Sequence, residues 1–173
     1  DFEHVKQRLA QLGQEMPVES ELERISQVYF DIRFPESIDR SAGFDLQERL
    51  SAARRSVGAD FGYWPNRKLI VLVYSAQQFR QLRQDAPEWA GGQYDGKIRV
   101  PLPSGELNAD MVSQILTHEY THAVIFDVTN NRCPVWLNEG LAEYEAWKNG
   151  APAWHFLRKA ASQGRLMPWA TLF

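Results

Sequence analysis

The stretch "ILTHEYTHAV", residues Ile115 to Val124, carries the strongest structural and chemical signal in this chain. It places His118 and His122 four positions apart, and Glu119 follows the first histidine directly. In an α-helix, residues i and i+4 stand on one face, one turn apart, so the two imidazoles can share one ion. With four histidines in 173 residues, about 0.007 such H-E-x-x-H matches are expected by chance, which favours a functional interpretation.

The chemistry of these three side chains suits zinc. Zinc binds histidine nitrogen at about 2.0 to 2.1 Å, and its catalytic sites keep three protein ligands and a water. Glu119 stands about 100° round the helix from His118, where it can reach that water without coordinating the metal. The pattern therefore predicts a Zn²⁺ site with His118 and His122 as metal ligands and Glu119 as the catalytic base.

A third protein ligand is expected downstream, where "WLNEGLAEYEA" offers three carboxylates. Glu139 and Glu143 share one face of a predicted helix, whereas Glu145 points elsewhere. Spacing leaves Glu139 and Glu143 as alternatives. Gly140 is costly inside a helix and indicates close approach of a neighbouring backbone or of a metal-binding side chain. His155, the only later histidine, is expected to be structural.

Apolar patterning predicts the elements upstream of the motif. Residues 1–26 show helical spacing and then a Gly and Pro interruption, which indicates a helix plus linker. Alternation over Val28–Phe34 predicts a half-buried strand, and the continuous run Lys68–Tyr74 predicts a central one, followed by a short helix over "SAQQFRQLRQ". Between the two strands, a helix from Ser41 to Gly58 or Gly62 is predicted from the spacing of Phe44, Leu46, Leu50, Ala53 and Val57.

Three helices are expected in the second half of the chain. Asn108 can cap the helix that carries His118. "VWLNEGLAEYEAWKNG", after Pro134, predicts the second helix, and "WHFLRKAASQG" predicts the third. The buried side of the first helix is expected to hold Met111, Ile115, Leu116, Ala123 and Val124.

An edge strand is predicted just before the motif helix. Asp95-Gly96 favours a two-residue hairpin turn between residues 93–94 and a strand of residues 97–100. Pro101 and Pro103 mark this strand as an edge, because proline cannot donate to a sheet. An extended peptide can add to such an edge, so the predicted substrate-binding residues are Lys97, Ile98, Arg99 and Val100.

Composition excludes several classes of protein. With 44% hydrophobic and 24% charged residues, the chain suits one soluble globular domain built as two lobes. A formal charge of -3 without a basic block argues against nucleic acid as a partner. No apolar run approaches the roughly 20 residues that span a bilayer. The single cysteine, Cys133, is expected to be a buried apolar residue.

The two ends of the chain suggest a piece of a longer protein. The chain opens on Asp1 without a basic and apolar leader, so no signal peptide is expected in it. It closes on the apolar segment "RLMPWATLF", which is unusual at a natural domain boundary. The cellular compartment is therefore left open.

"THEYTHAV" followed by "WLNEGLAEY" resembles the motif pair of the gluzincin metallopeptidases. In these H-E-x-x-H enzymes the third zinc ligand is a glutamate on the following helix. The resemblance implies that His118, His122 and Glu139 bind zinc and that Glu119 is the base. Glu143, one turn after Glu139, would accept the free N–H of a ligand imidazole, His118 in particular.

The resemblance extends upstream of the motif helix. "KLIVLVYSAQQFRQL" and "APEWAGGQYDGKIRVPL" are similar to the bacterial peptidase-MA-like domains that often follow tetratricopeptide repeats, over about residues 27–147. It implies an α+β, zincin-like fold, in which a small mixed sheet with an edge strand packs on the motif helix and a helical lobe follows. Residues 1–26 would end a helical repeat region that can bind protein partners, and residues 27–173 would form the metallopeptidase domain, with lobes of about 27–127 and 128–173.

The predicted function is hydrolysis of a peptide or protein substrate, with Glu119 as general base on a zinc-bound water. The alternative is a catalytically silent binding module of a repeat-containing scaffold protein. Intact Glu119 favours the enzyme, because a domain that hydrolyses nothing has no chemical use for that carboxylate. Zinc hydrolysis of a non-peptide amide is a third option. The candidates for stabilising the oxyanion, each expected to be structural, are Tyr94, Tyr120, Tyr144 and His155.

Overall fold

The computed structural model describes Lys6 and residues 22–75, 96–102, 108–149 and 154–165. Within these residues the chain forms a four-stranded mixed sheet with helices, so the expected α+β class is confirmed at this level. The strands, in sheet order, are β1 (Leu22–Ser26), β2 (Phe30–Pro35), β3 (Leu69–Ser75) and β4 (Lys97–Leu102). The helices are α1 (Arg40–Phe61), α2 (Ala109–Thr129), α3 (Val135–Trp147) and α4 (Trp154–Ser162).

Strand β3 lies inside the sheet, as its continuous apolar run predicts. It pairs in parallel with β2, where Ile32 is opposite Val71, and with β4, where Val71 is opposite Ile98. Successive residues from Val71 to Tyr74 are fully buried, so both faces of the strand are covered. β4 is the last strand of the described sheet. The strand predicted at residues 93–94 and the short helix predicted after Ser75 lie outside the described residues.

The prediction of a helix and linker over residues 1–26 is wrong for residues 22–26, which form strand β1. Leu22–Ser26 pairs antiparallel with β2, and the Gln27 N–H donates to the Phe30 carbonyl across the turn (2.9 Å). The predicted strand start at Val28 is also wrong, because Val28 is 75% exposed in this turn. Within β1 only Ile25 is buried, so the sequence carries too little apolar alternation to predict a strand. Residues 1–21, apart from Lys6, lie outside the described part of the chain.

A buried carboxylate links β1 to β2. Asp31 is 3% exposed and accepts hydrogen bonds from Arg24 (2.5 Å) and Arg33 (3.2 Å). Burial alone would raise the pKa of Asp31, but the two guanidinium groups outweigh it and hold the pKa below its usual value. Because side chains alternate along a strand, Asp31 and Arg33 lie on the sheet face opposite Phe30 and Ile32.

The bounds of α1 and the cap of α2 agree with the predicted start near Ser41, the end at Gly62 and the cap at Asn108. Asp39 accepts a hydrogen bond from the Ser41 N–H (2.7 Å) at the start of α1, and Gly62 ends the helix with φ of 62°. Asn108 accepts from the Asp110 N–H (2.9 Å) at the start of α2. Both helices pack on one face of the sheet, and their shared core includes Leu46, Leu50, Val57, Val71, Val73, Ile98, Val100, Val112, Leu116 and Val124.

Two residues of the predicted apolar faces are exposed. Phe44 of α1 and Met111 of α2 both face solvent, Met111 with 49% of its surface accessible. In α2 the buried stripe runs through Val112, Leu116 and Tyr120, and Met111 stands about 100° from Val112 round the helix. The other predicted residues of this helix contact the core as expected.

Helices α3 and α4 agree with the predicted helical second half. α3 follows Pro134 and packs against α2. Its buried residues are Ala142 and Glu145, so it lies close to the surface. Among the described helices, none is both long and apolar enough to cross a membrane.

Candidate metal centre

His118 and His122 bring their imidazoles together on the side of α2 that faces α3. The two Nε2 atoms are 3.1 Å apart, and the rings meet edge to face with centroids 4.7 Å apart. His122 is 4% exposed, and His118 is half-buried. The i, i+4 spacing thus produces a pair of neighbouring ring nitrogens.

A left-handed turn brings α3 back against α2. Asn130 and Asn131 have φ values of 51° and 58°, a conformation that asparagine tolerates better than most residues. Both of their N–H groups donate to the Phe126 carbonyl, at 3.0 Å for Asn131, and so close the end of α2. Pro134 then precedes α3, where its missing N–H costs no helical hydrogen bond.

Glu139 on α3 completes a cluster of three donor atoms. Its Oε2 lies 3.5 Å from Nε2 of His118 and 3.7 Å from Nε2 of His122. Two ligands held tetrahedrally at about 2.0 to 2.2 Å from zinc are about 3.4 Å apart. The three observed separations of 3.1, 3.5 and 3.7 Å bracket that value, so the three donor atoms could hold a single metal ion.

Asn138 fixes the tautomer of His122. The Asn138 Oδ1 lies 2.9 Å from Nδ1 of His122. An amide oxygen only accepts hydrogen bonds, so Nδ1 carries the proton and Nε2 presents its lone pair to His118 and Glu139. This contact was not predicted from the sequence, where its one signal is a polar residue directly before Glu139.

Glu143 stands beside the other imidazole. Its Oε2 lies 3.5 Å from Nδ1 of His118, on the side of the ring away from His122. A proton on this Nδ1 faces the carboxylate and leaves the Nε2 lone pair for the cluster. Burial lowers the pKa of His118, and His122 lowers it further, which outweighs the raising effect of Glu139 and Glu143. The lowered pKa favours the neutral imidazole that binds metals.

If both imidazoles carry their proton on Nδ1, their Nε2 lone pairs point toward each other and toward a carboxylate oxygen; otherwise a proton on one Nε2 joins the two rings in a hydrogen bond. Such acceptors repel one another unless a proton or a cation lies between them. Two imidazole nitrogens and one carboxylate oxygen form a donor set that suits zinc. Three protein ligands leave one tetrahedral position for water or substrate.

Glu119 is half-buried and lies outside this cluster of donors. It stands about 100° from His118 round α2, on the flank that also holds Ile115. Glu119 is therefore next to His118 along the helix without belonging to the cluster of three donors.

The candidates for stabilising an oxyanion differ in burial. Tyr120 is fully buried, with its ring centroid 6.1 Å from that of Phe30, so it has a structural position. Tyr144 on α3 is exposed. The side chains of Tyr94 and His155 lie outside the described part of the structure.

Three further residues near the cluster do not take part in it. Glu145 is buried and turns away from the imidazoles to Lys148, as expected. Gly140 is exposed, and a Cβ there would meet no described atom within 4 Å, so the close approach expected at Gly140 is wrong for the described residues. Cys133 is half-buried, and burial raises the pKa of its thiol, which disfavours the reactive thiolate.

The predicted substrate-binding strand, residues 97–100, lies in β4, against which α2 packs. Ile98 and Val100 are buried in the core, and Lys97 and Arg99 are half-buried on the other face. A peptide beside this strand would therefore meet the backbone of Ile98 and Val100 and not their side chains. The addition of a peptide to β4 stays a prediction.

A groove of about 670 Å³ lies between α1, α2 and α3. Thr117 of α2 and Glu145 of α3 line it, together with charged residues of α1, and the three donors of the cluster do not. Thr117 and Glu119 are about 200° apart round α2. The groove is therefore on the opposite flank of α2 from the predicted base.

No protein-family model matches this chain, and neither a curated protein nor a solved structure is significantly similar to it. A function for the chain therefore has to be argued from its residues and their geometry, and above all from His118, His122 and Glu139.

Proposed function

We propose that this chain is a zinc-dependent peptidase of the gluzincin type, with a zincin-like fold in which α2 is the motif helix. The proposal is carried by one observation, the convergence of the His118 Nε2, His122 Nε2 and Glu139 Oε2 atoms within 3.7 Å of one another. Two of these donors belong to the H-E-x-x-H motif and the third to the next helix, the arrangement that the resemblance to gluzincins implies.

Glu119 is the proposed general base. Zinc, when bound, is a Lewis acid that polarises the substrate carbonyl and lowers the pKa of water toward about 7. The Glu119 carboxylate accepts a proton from the attacking water as the water oxygen bonds to the carbonyl carbon. It then gives this proton to the amide nitrogen as the C–N bond breaks, and the products are a carboxylic acid and an amine.

Asn138 and Glu143 support the reaction through the imidazoles and not through the substrate. Asn138 accepts the Nδ1 proton of His122, and Glu143 lies where it can accept that of His118. Each contact keeps an Nε2 lone pair directed at the same point. Asn138, Glu139 and Glu143 all belong to α3. This one helix therefore supplies one proposed ligand and the hydrogen-bond partners of the two ligand imidazoles.

Metal analysis and digestion of a peptide library test the proposal together. We expect about one zinc per chain after reconstitution, and cleavage that a chelator stops and added zinc restores. Glu119→Gln should keep the zinc and lower hydrolysis about 100- to 10,000-fold, because only the base is removed. Glu36→Gln, an exposed carboxylate in the turn before α1, is the matched control and should change neither quantity.

The outcomes separate the alternatives. Well under one equivalent of zinc would refute the metal centre. Zinc binding without hydrolysis of any peptide would favour the catalytically silent binding module. Unchanged hydrolysis by the Glu119→Gln variant would place the base elsewhere.

A further inference from the structure

Helix α3, which carries Glu139, packs on α2 near the surface of the described structure. Ala142 and Glu145 are its buried residues, and its main packing partner is α2. The groove of about 670 Å³ separates α3 from α1 on one flank. The contact with α2 holds one side of α3, and contacts elsewhere on the helix can fix its rotation as well.

Lys148, directly after α3, links this helix to α1. Its Nζ donates to Glu145 (2.7 Å) and also to Asp60, near the end of α1. The side chains of Lys148 and Glu145 are 14% and 3% exposed, so their ion pair is shielded from water. Burial would lower the pKa of Lys148, but the hydrogen bonds to the two carboxylates outweigh it, so the ammonium stays charged.

The positions along α3 put this ion pair and Glu139 on opposite faces of the helix. At about 100° per residue, three residues turn about 300°, which places each third residue about 60° from the one before it, measured in the opposite sense round the axis. Glu139, Ala142, Glu145 and Lys148 follow one another in such steps. The two buried residues thus lie in the middle, with Glu139 on one side of them and Lys148 on the other.

A small rotation of α3 about its axis would move Glu139 by the length of a metal–ligand bond. Side chains end about 5 to 6 Å from a helix axis, so a rotation of about 20° displaces them by about 2 Å. A carboxylate binds zinc at about 2.0 to 2.2 Å. Keeping the Glu139 Oε2 3.5 Å from the His118 Nε2 therefore requires that the rotation of α3 be closely fixed.

We propose that Asp60, Glu145 and Lys148 are positioning residues, which fix the rotation of α3 on α2 and thereby hold Glu139 beside the two imidazoles. Lys148 is tied to Asp60 on a different helix, so the contact opposes rotation of α3 on α2. The inference rests on the proposed function, because it assigns Glu139 to a metal.

A paired apolar substitution tests the inference without leaving a buried charge. Lys148→Met alone would leave Glu145 buried and unpaired, whereas Glu145→Met with Lys148→Met replaces both partners by side chains of similar volume. Zinc affinity of the double variant, measured by chelator competition, should fall about 10- to 100-fold, the usual range when a residue that orients a ligand is lost. Lys148→Arg can still reach both carboxylates and should keep the wild-type affinity.

Arg67→Met is the matched control and is combined throughout with Asp127→Met, so that no buried carboxylate is left unpaired. Together the two substitutions remove an ion pair between Arg67 and Asp127 of α2 (2.8 Å) that does not involve α3, so zinc affinity should not change. Cobalt-substituted protein adds a second measurement, because its visible absorption reports the ligand set. The double variant should show an altered spectrum, and Arg67→Met should show that of the wild type.

Amide hydrogen exchange in the metal-free protein separates failure of this inference from failure of the zinc proposal. Residues 135–147 should exchange faster in the double variant than in the wild type, and Arg67→Met should leave their exchange unchanged. Wild-type zinc affinity in the double variant, or unchanged exchange in α3, would overturn the inference. A wild-type protein that binds no zinc would instead refute the proposed function, and the positioning role would fall with it.

Discussion

Helices α2 and α3 build the same candidate site, but the protein holds them in very different ways. Eight of the 21 residues of α2 are buried, among them His122. Only two of the 13 residues of α3 are buried, and the side chain of Glu139 is 37% exposed. The imidazoles therefore belong to a helix packed in the core, whereas the carboxylate belongs to a more exposed helix that packs on α2.

This difference indicates how the candidate site can come apart. Asn138, Glu139 and Glu143 all belong to α3, so displacement of that helix removes one donor and both imidazole partners at once. The pair of His118 and His122 would remain, because packing of α2 against the sheet holds it. Helices with few buried contacts open at a lower free-energy cost than core helices.

The largest effect on zinc affinity should come from removing the carboxylate of Glu139 on α3, and a smaller one from removing that of Glu143. We expect Glu139→Gln to nearly abolish tight zinc binding, because it removes one of the three proposed ligands. Glu143→Gln should cost about 10- to 100-fold in affinity, since its proposed role is only to orient His118. Competition titration against a chelator measures both variants. The reverse order would show that the ligand and its supporting residue have been exchanged.

Core truncation tests whether α2 and α3 differ in anchoring. Leu116→Ala in α2 should lower the free energy of unfolding by about 2 to 5 kcal/mol, because Leu116 is fully buried in the core. Leu141→Ala in α3 should cost about 1 kcal/mol or less, since Leu141 is only half-buried. Urea unfolding of both variants, followed by circular dichroism, gives the two values. Equal losses would mean that α3 is as firmly anchored as α2.

The smallest effect concerns Gly140. Because a Cβ at this helical position has open space among the described atoms, Gly140→Ala should raise the free energy of unfolding by about 0.5 to 1 kcal/mol. Zinc affinity should stay at the wild-type value, measured in the same chelator titration. A large loss of affinity would restore the interpretation that Gly140 allows close approach to the metal.

Helix bounds and the central strand could be predicted because their signals are local. Asn108 and Pro134 act on the backbone next to them, so the starts of α2 and α3 are visible in the sequence, whereas the cap of α1 at Asp39 was not predicted. The unbroken apolar run of β3 reflects burial on both faces. The pairing of His118 with His122 follows from the helical period alone.

The features that escaped prediction depend on neighbours distant in the sequence. β1 is defined by its pairing with β2 and has one buried residue, so its own sequence resembles a polar linker. The contact of Asn138 with His122 exists only because the turn after α2 reverses the chain. The sequence predicted close packing against Gly140, but this residue faces open space among the described atoms.

Asp31 helps to select which residues of β1 pair with those of β2. A shift of β1 by one residue would turn Arg24 to the opposite face of the sheet and leave Asp31 beside the apolar Ile25. The shifted pairing would leave the buried Asp31 carboxylate with Arg33 as its one remaining guanidinium partner of the two, which disfavours it. The edge of the sheet is thus aligned by charge, at a place where its apolar pattern is too weak to select one pairing over another.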